Sequence, residues 1–187
     1  SFRVAAKLVD LDIMKQDFES AYQRLLALKI PKTNDVDTQL VISNLKKQVR
    51  SVAINNHDRY RKMDEKKEVI RFLRVADQFY ALYLNRYVTE KAERNEIRMY
   101  LAEVKRELQN PGMAAQLYKQ IIQDQDPKYA KEAAQLSVGS LAAELKKMAD
   151  SGEKPGSSPS DLEKDFVDAS DLLEKSIPNS TESREAR

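Results

Sequence analysis

Residues 100–127, YLAEVKRELQNPGMAAQLYKQIIQDQDP, carry a helical pattern that breaks at Asn110-Pro111-Gly112 for about two residues and then restarts. Asn110 can cap the second helix, and Pro111 fits its first position, where the missing N–H costs nothing. Asp126-Pro127 repeats the same start signal further on. A chain that stops a helix and restarts it at once is making a helical hairpin, and that device constrains this fold more than any other feature. Composition agrees. Among 187 residues there are 4 Gly, 6 Pro and no Trp, and 33% are charged. That mixture favours helices and lacks what sheets and their turns consume. No stretch alternates as a strand would, so the reading is all-α.

Periodicity predicts helices over 2–14, 17–29, 35–62, 66–88, 92–109, 111–124, 127–149 and 161–176, with a ninth starting in STESREAR, 180–187. Val41, Leu45, Val49 and Val52 lie along one face of the long third helix. The fourth carries a wide aromatic stripe of Val69, Phe72, Leu73, Ala76, Phe79, Tyr80, Tyr83 and Tyr87. Residues 150–160, DSGEKPGSSPS, read as a flexible linker that ends in a capping box, Ser160 to Glu163. No apolar run approaches the roughly 18 residues that span a bilayer. The opening SFRVAAKL reads as the middle of a helix, which suggests a fragment of a longer chain.

Two stretches, KQDFESAYQRLLALKIP (15–31) and QNPGMAAQLYKQIIQDQDP (109–127), share a spacing. Each places a small residue and then bulky ones four and seven further on: Ala21, Leu25 and Leu28 in one, Ala114, Tyr118 and Ile121 in the other. A small residue lets helices approach while the bulky ones fill the adjoining groove. This pattern resembles the second-helix half of a tetratricopeptide repeat, with Ala102 where the first helix takes a small residue. The first-helix Trp and Leu-Gly of that family are absent, and so is its strict period. A longer period fits instead. Ala21 and Ala114 stand 93 residues apart (114 − 21), and Phe72 and Phe166 stand 94 apart (166 − 72). KAERNEIR (91–98) and STESREAR (180–187) follow corresponding helices. The expectation is a duplicated four-helix unit over 1–93 and 94–187, stacked as antiparallel helical hairpins in an α-solenoid, with the second copy truncated. The segments FYALYLNRY and LEKDFVDASDLLEKSIPNSTESREAR also look like the large delta-proteobacterial envelope and motility-associated repeat proteins. That resemblance implies a scaffold facing the periplasm.

Catalytic signatures are missing. His57 is the sole histidine, and it reads as an exposed or half-buried side chain with no local nucleophile partner. With no cysteine, disulfides and thiolate metal sites are excluded, and no acidic calcium loop is present. Ser43 to Lys46 matches Ser-x-x-Lys formally but lacks its companion motifs and lies within a helix. GEKPGSS fails the phosphate-loop spacing. Asn179-Ser180-Thr181 forms a glycosylation sequon better read as a helix cap. The reading is a non-enzyme with no catalytic residues, cofactor, metal or small-molecule substrate.

Charge points elsewhere. Residues 46–74 carry ten Lys/Arg against four acids, a net +6. Residues 150–187 carry ten acids against five bases, a net −5. Tyr80, Tyr83 and Tyr87 are taken to spread over roughly 100° or more of the helix, too wide for one seam, so that at least one faces a concave surface. With Lys66, Lys67, Arg71 and Arg74 beside them, they form the expected partner-binding site. The expected function is a protein–protein interaction scaffold whose partner is a protein or an acidic peptide. The alternatives are a structural subunit packing into a larger envelope assembly, oligomerising through repeat ends, or a basic surface for nucleic acid or anionic lipid. Nucleic acid is disfavoured, because net charge is only +2 and no recognised module appears.

Overall fold

The computed structural model describes residues 1–63, 66–151 and 161–176. Its secondary structure is entirely helical: α1 (Phe2–Met14), α2 (Phe18–Ala27), α3 (Val36–Lys62), α4 (Lys66–Arg86), α5 (Lys91–Glu107), α6 (Pro111–Gln123), α7 (Ala130–Asp150) and α8 (Asp161–Ser176). Most of the linker expected at 150–160, the capping serine Ser160 and the ninth helix at 180–187 lie outside the described residues. None of the described helices is long and apolar enough to cross a membrane. The chain divides into two compact units, Ser1–Val88 and Thr89–Arg187, and its helices pack mostly on their neighbours in sequence.

In the first unit α1 packs on α2 and α3 on α4, with smaller contacts from α1 to α3 and from α2 to α4. Leu45, Val49 and Val52 of α3 are buried, as are Val69, Leu73, Ala76, Phe79 and Tyr80 of α4. Phe79 meets Phe18 edge-on at 6.3 Å between ring centroids and Tyr22 at 5.9 Å, which draws α2 onto α4. Arg86 secures the same contact. Its guanidinium donates to the carbonyls of Leu25, Leu26 (2.7 Å) and Leu28 (3.1 Å) at and just beyond the end of α2, where Leu25 also accepts from the Leu28 N–H.

In the second unit α5 packs on α6, α6 on α7 and α7 on α8. Two faces of α6 are used. Ala114, Tyr118 and Ile121 join Met99, Ala102 and Ala133 in one core cluster, while Ala115 joins Ala134, Val138, Leu141, Ala169 and Leu173 in another. Both triplets singled out by spacing, Ala21-Leu25-Leu28 and Ala114-Tyr118-Ile121, are buried.

Three of the turns share one construction. Gln16, Gln109 and Gln125 adopt left-handed backbone, with φ of 58°, 59° and 52°, just beyond the ends of α1, α5 and α6. At the first two, the glutamine N–H and the next N–H bond back to helix carbonyls: Gln16 to Ile13 and Asp17 to Asp12, Gln109 to Arg106 and Asn110 to Lys105. The next residue then starts a new helix, with the Asp17 side chain accepting from the Ser20 N–H and that of Asn110 from the Met113 N–H. Glycine is the usual residue in this left-handed position, and glutamine holds it here at a steric cost.

The seventh helix starts at Ala130 rather than 127. Asp126 is responsible. Its carboxylate accepts from the Lys128 and Tyr129 N–H groups, forming a side-chain-closed turn before the helix begins. The other oxygen of Asp126 accepts from buried Asn95, whose carbonyl accepts from Arg98, and Arg98 in turn pairs with Asp124 at 2.7 Å. Burial alone would raise the Asp126 carboxyl, but the bonds from Asn95, Lys128 and Tyr129 prevail and hold it below the usual carboxylate value.

Candidate functional site

The aromatic stripe is core. Tyr80 and Tyr83 are each 1% exposed and Tyr87 is 7% exposed. Positions 80, 83 and 87 stand at i, i+3 and i+7, within about 60° of one another at about 100° per residue, so the wide spread expected of them is corrected to a single stripe. Rings buried in this way offer no open surface to an incoming side chain. Tyr80 meets His57 instead, hydroxyl to Nδ1 at 3.4 Å. His57 is 2% exposed, not the exposed or half-buried side chain expected. Arg71 and Arg74 are exposed on α4, with the Arg71 guanidinium 4.9 Å from the centre of the Phe72 ring. The side chains of Lys66 and Lys67 lie outside the described residues. The structure therefore separates the expected site into buried tyrosines and exposed arginines.

The first unit carries two cavities of about 390 Å³, one between α1 and α2 and one between α1 and α3, and a bigger concavity lies in the second unit. A groove of about 660 Å³ runs between α6, α7 and α8. That volume falls within the roughly 300–1,000 Å³ of ligand sites. Ala115 and Ile122 of α6, Leu141 of α7 and Ala169 of α8 supply apolar lining. Met113 and Leu172, both exposed large apolar side chains, also face it. The remaining lining is mostly polar or charged: Asn110 capping α6, Gln116, Lys119 and Gln123 on it, Ser137 and Glu144 on α7, and Asp165, Asp168 and Asp171 on α8.

Local sequence explains why these groups converge. On α8, Asp165, Asp168, Ala169 and Leu172 stand at i, i+3, i+4 and i+7, one helical face. Leu173 and Ala169 hold the helix onto α7, and the Lys119 ammonium on α6 pairs with Asp165. At the other end Glu144 lies against the first turn of α6. A Cβ on Gly112 would stand 3.3 Å from its Cδ, closer than about nine in ten real contacts of that kind, so the Glu144 side chain would have to give way. Glycine thus lets the Glu144 carboxylate approach a helix N-terminus, where free N–H groups and the dipole favour negative charge. Among the described residues no group of three or more acids or histidines is placed to hold a metal ion.

The aspartates were visible as an acidic terminal segment in the sequence, but nothing there indicated which faces of α6 and α7 they would meet. Compared with known proteins, the chain matches no family model, no curated protein and no solved structure.

Proposed function

We propose that the protein is a non-enzymatic interaction scaffold of tetratricopeptide-like helical hairpins, and that the groove between α6, α7 and α8 receives a segment of a partner protein. One observation carries the reading: a concavity with an apolar lining, exposed Met113 and Leu172, and polar groups around them. Helices projecting alternate faces inward and outward can present such a surface without a buried polar centre for chemistry. The recurrent left-handed glutamine turns and the two small-then-bulky triplets support the hairpin reading, and the 93–94-residue spacing supports a duplicated four-helix unit. Co-purification with the full chain as bait, beside a Gln116→Trp bait, tests it. Gln116 is exposed and lines the groove, so tryptophan fills the space without entering the core. A partner recovered by the first bait and lost from the second is the expected result. Identical recovery by both removes the groove from the reading.

A second reading, a structural subunit, draws on α1. Val4, Leu8 and Leu11 form an i, i+4, i+7 stripe and are 58%, 38% and 48% exposed. Association abolished by Leu8→Glu and unaffected by Gln116→Trp favours that reading.

A further inference from the structure

The lining of the groove discriminates between possible occupants by sign and by shape. We propose that it takes a cationic, apolar-anchored peptide segment, with a bulky apolar side chain seated beside Met113 and Leu172 and flanking Lys or Arg facing Asp168 and Asp171. This rests on the reading that the groove receives a partner segment, and it adds the chemistry of that segment.

Four carboxylates, Glu144, Asp165, Asp168 and Asp171, line the groove against one ammonium, Lys119, leaving a net −3 (1 − 4). That single positive charge is already committed to Asp165. Glu144 lies within 4.0 Å of the Lys147 ammonium and beside the N-terminus of α6, so the charge left for an occupant lies on α8. Asp168 and Asp171 are exposed and have no ion-pair partner among the described residues. An acidic segment entering here meets like charges on one wall, at a cost that suppresses wrong partners. Nucleic acid is disfavoured for the same reason.

The apolar component separates a peptide from a simple cation. A hydrated metal ion gains nothing from Met113 and Leu172 and a polyamine can cover them only with short methylene stems, whereas a bulky apolar side chain removes both from water. Methionine is unbranched and polarizable, which suits it to anchors of differing shape. Lys and Arg carry their charge on long apolar stems, so a flanking residue can cross the apolar lining and still reach a rim carboxylate.

Fluorescence anisotropy on the full chain tests this with three labelled helical peptides. One carries leucines at i, i+3, i+4 and i+7 flanked by lysines, the second replaces lysine by glutamate, and the third replaces leucine by serine. The basic, leucine-bearing peptide is expected to bind at least about tenfold more tightly than either counterpart. The double variant Asp168→Asn/Asp171→Asn, which leaves the Lys119–Asp165 pair intact, is expected to weaken it by about three- to tenfold. About 0.5 M NaCl should weaken it in the same direction. Circular dichroism of the variant confirms that its helices persist.

Equal binding of the glutamate peptide overturns the cationic inference while leaving the groove reading intact. Equal binding of the serine peptide overturns the apolar anchor. Self-association of the chain abolished by Asp168→Asn/Asp171→Asn makes a second copy the occupant and also overturns the proposal. So does failure of the basic peptide to bind. Binding that survives Gln116→Trp places the site outside the groove and removes the functional reading with it.

Discussion

In the first unit the seam between α3 and α4 is filled by rings and long aliphatic groups, Phe79, Tyr80, Leu73 and Leu45 among them, whereas in the second alanines (Ala102, Ala114, Ala115, Ala133, Ala134 and Ala169) make up half of the two core clusters, beside bulky Tyr118, Ile121 and Leu173. Rings consume the volume between two helices and leave little of it open. Alanines let backbones close on one another along the seam, but where a third helix lies across the pair they have no side chain to fill the angle left over. The groove forms at such a place, with Ala115 and Ala169 in its lining and Gly112 at one end. The α3–α4 seam and the meeting of α6, α7 and α8 thus show how side-chain size decides whether packed helices yield a solid core or a usable concavity, and the first unit's own cavities of about 390 Å³ lie away from that seam, beside α1.

The most damaging challenge to this contrast is truncation of a ring. Phe79→Ala should cost about 3–5 kcal/mol, because the first unit cannot collapse around a lost aromatic. Urea denaturation reads this directly, and a loss below that of any alanine enlargement in the second unit would break the comparison. Next is Asp126→Ala, expected to cost about 2–3 kcal/mol by removing a turn cap and stranding buried Asn95. This effect depends on pH. The folded carboxyl titrates below its unfolded value, so its stabilisation is complete above the unfolded value of about 4 and vanishes as pH falls through the folded one. The deficit of Asp126→Asn relative to the parent chain should therefore be full at neutral pH and shrink in acid.

Enlarging the alanine seam by Ala114→Leu should cost about 1–3 kcal/mol through overpacking against Met99, Ala102 and Ala133. If thermal unfolding shows no loss, the helices of the second unit are less closely approached than their alanines imply. The smallest effect has the opposite sign. Gln109→Gly should stabilise by about 1 kcal/mol, since glycine accepts the left-handed backbone without the clash of a Cβ.

Helix positions were largely legible in the sequence because the relevant signals are local. Asn110-Pro111, the apolar face of α3 and the stripe on α4 each depend on residues a turn or two apart. The start of α7 was misplaced because Asp126 closes its own turn first, so an Asp-Pro pair fixes the turn and not the first helical residue. The tyrosine assignment failed through misjudged angles, since 80, 83 and 87 share one face. His57 shows a different limit: a titratable residue gave no sign that its neighbours across the seam would bury it against Tyr80. The groove was illegible for a stronger reason. It is made by three helices meeting, and the distance from Met113 to Leu172 in sequence carries no trace of their proximity.

The attachment of α8 has a consequence for how an occupant would be detected. Ala169 and Leu173, with Phe166 beside them, dock this wall of the groove on α7, and its ion pair to α6, Lys119–Asp165, is partly exposed and worth less than about 1 kcal/mol. Its amides should therefore exchange with deuterium sooner than those of α6, through brief local opening. A ligand that bridges the groove binds only the closed form, so each tenfold excess over its dissociation constant adds roughly 1.4 kcal/mol to the docking of α8. Slowed exchange along this helix would report occupancy even for a ligand too weak to survive purification.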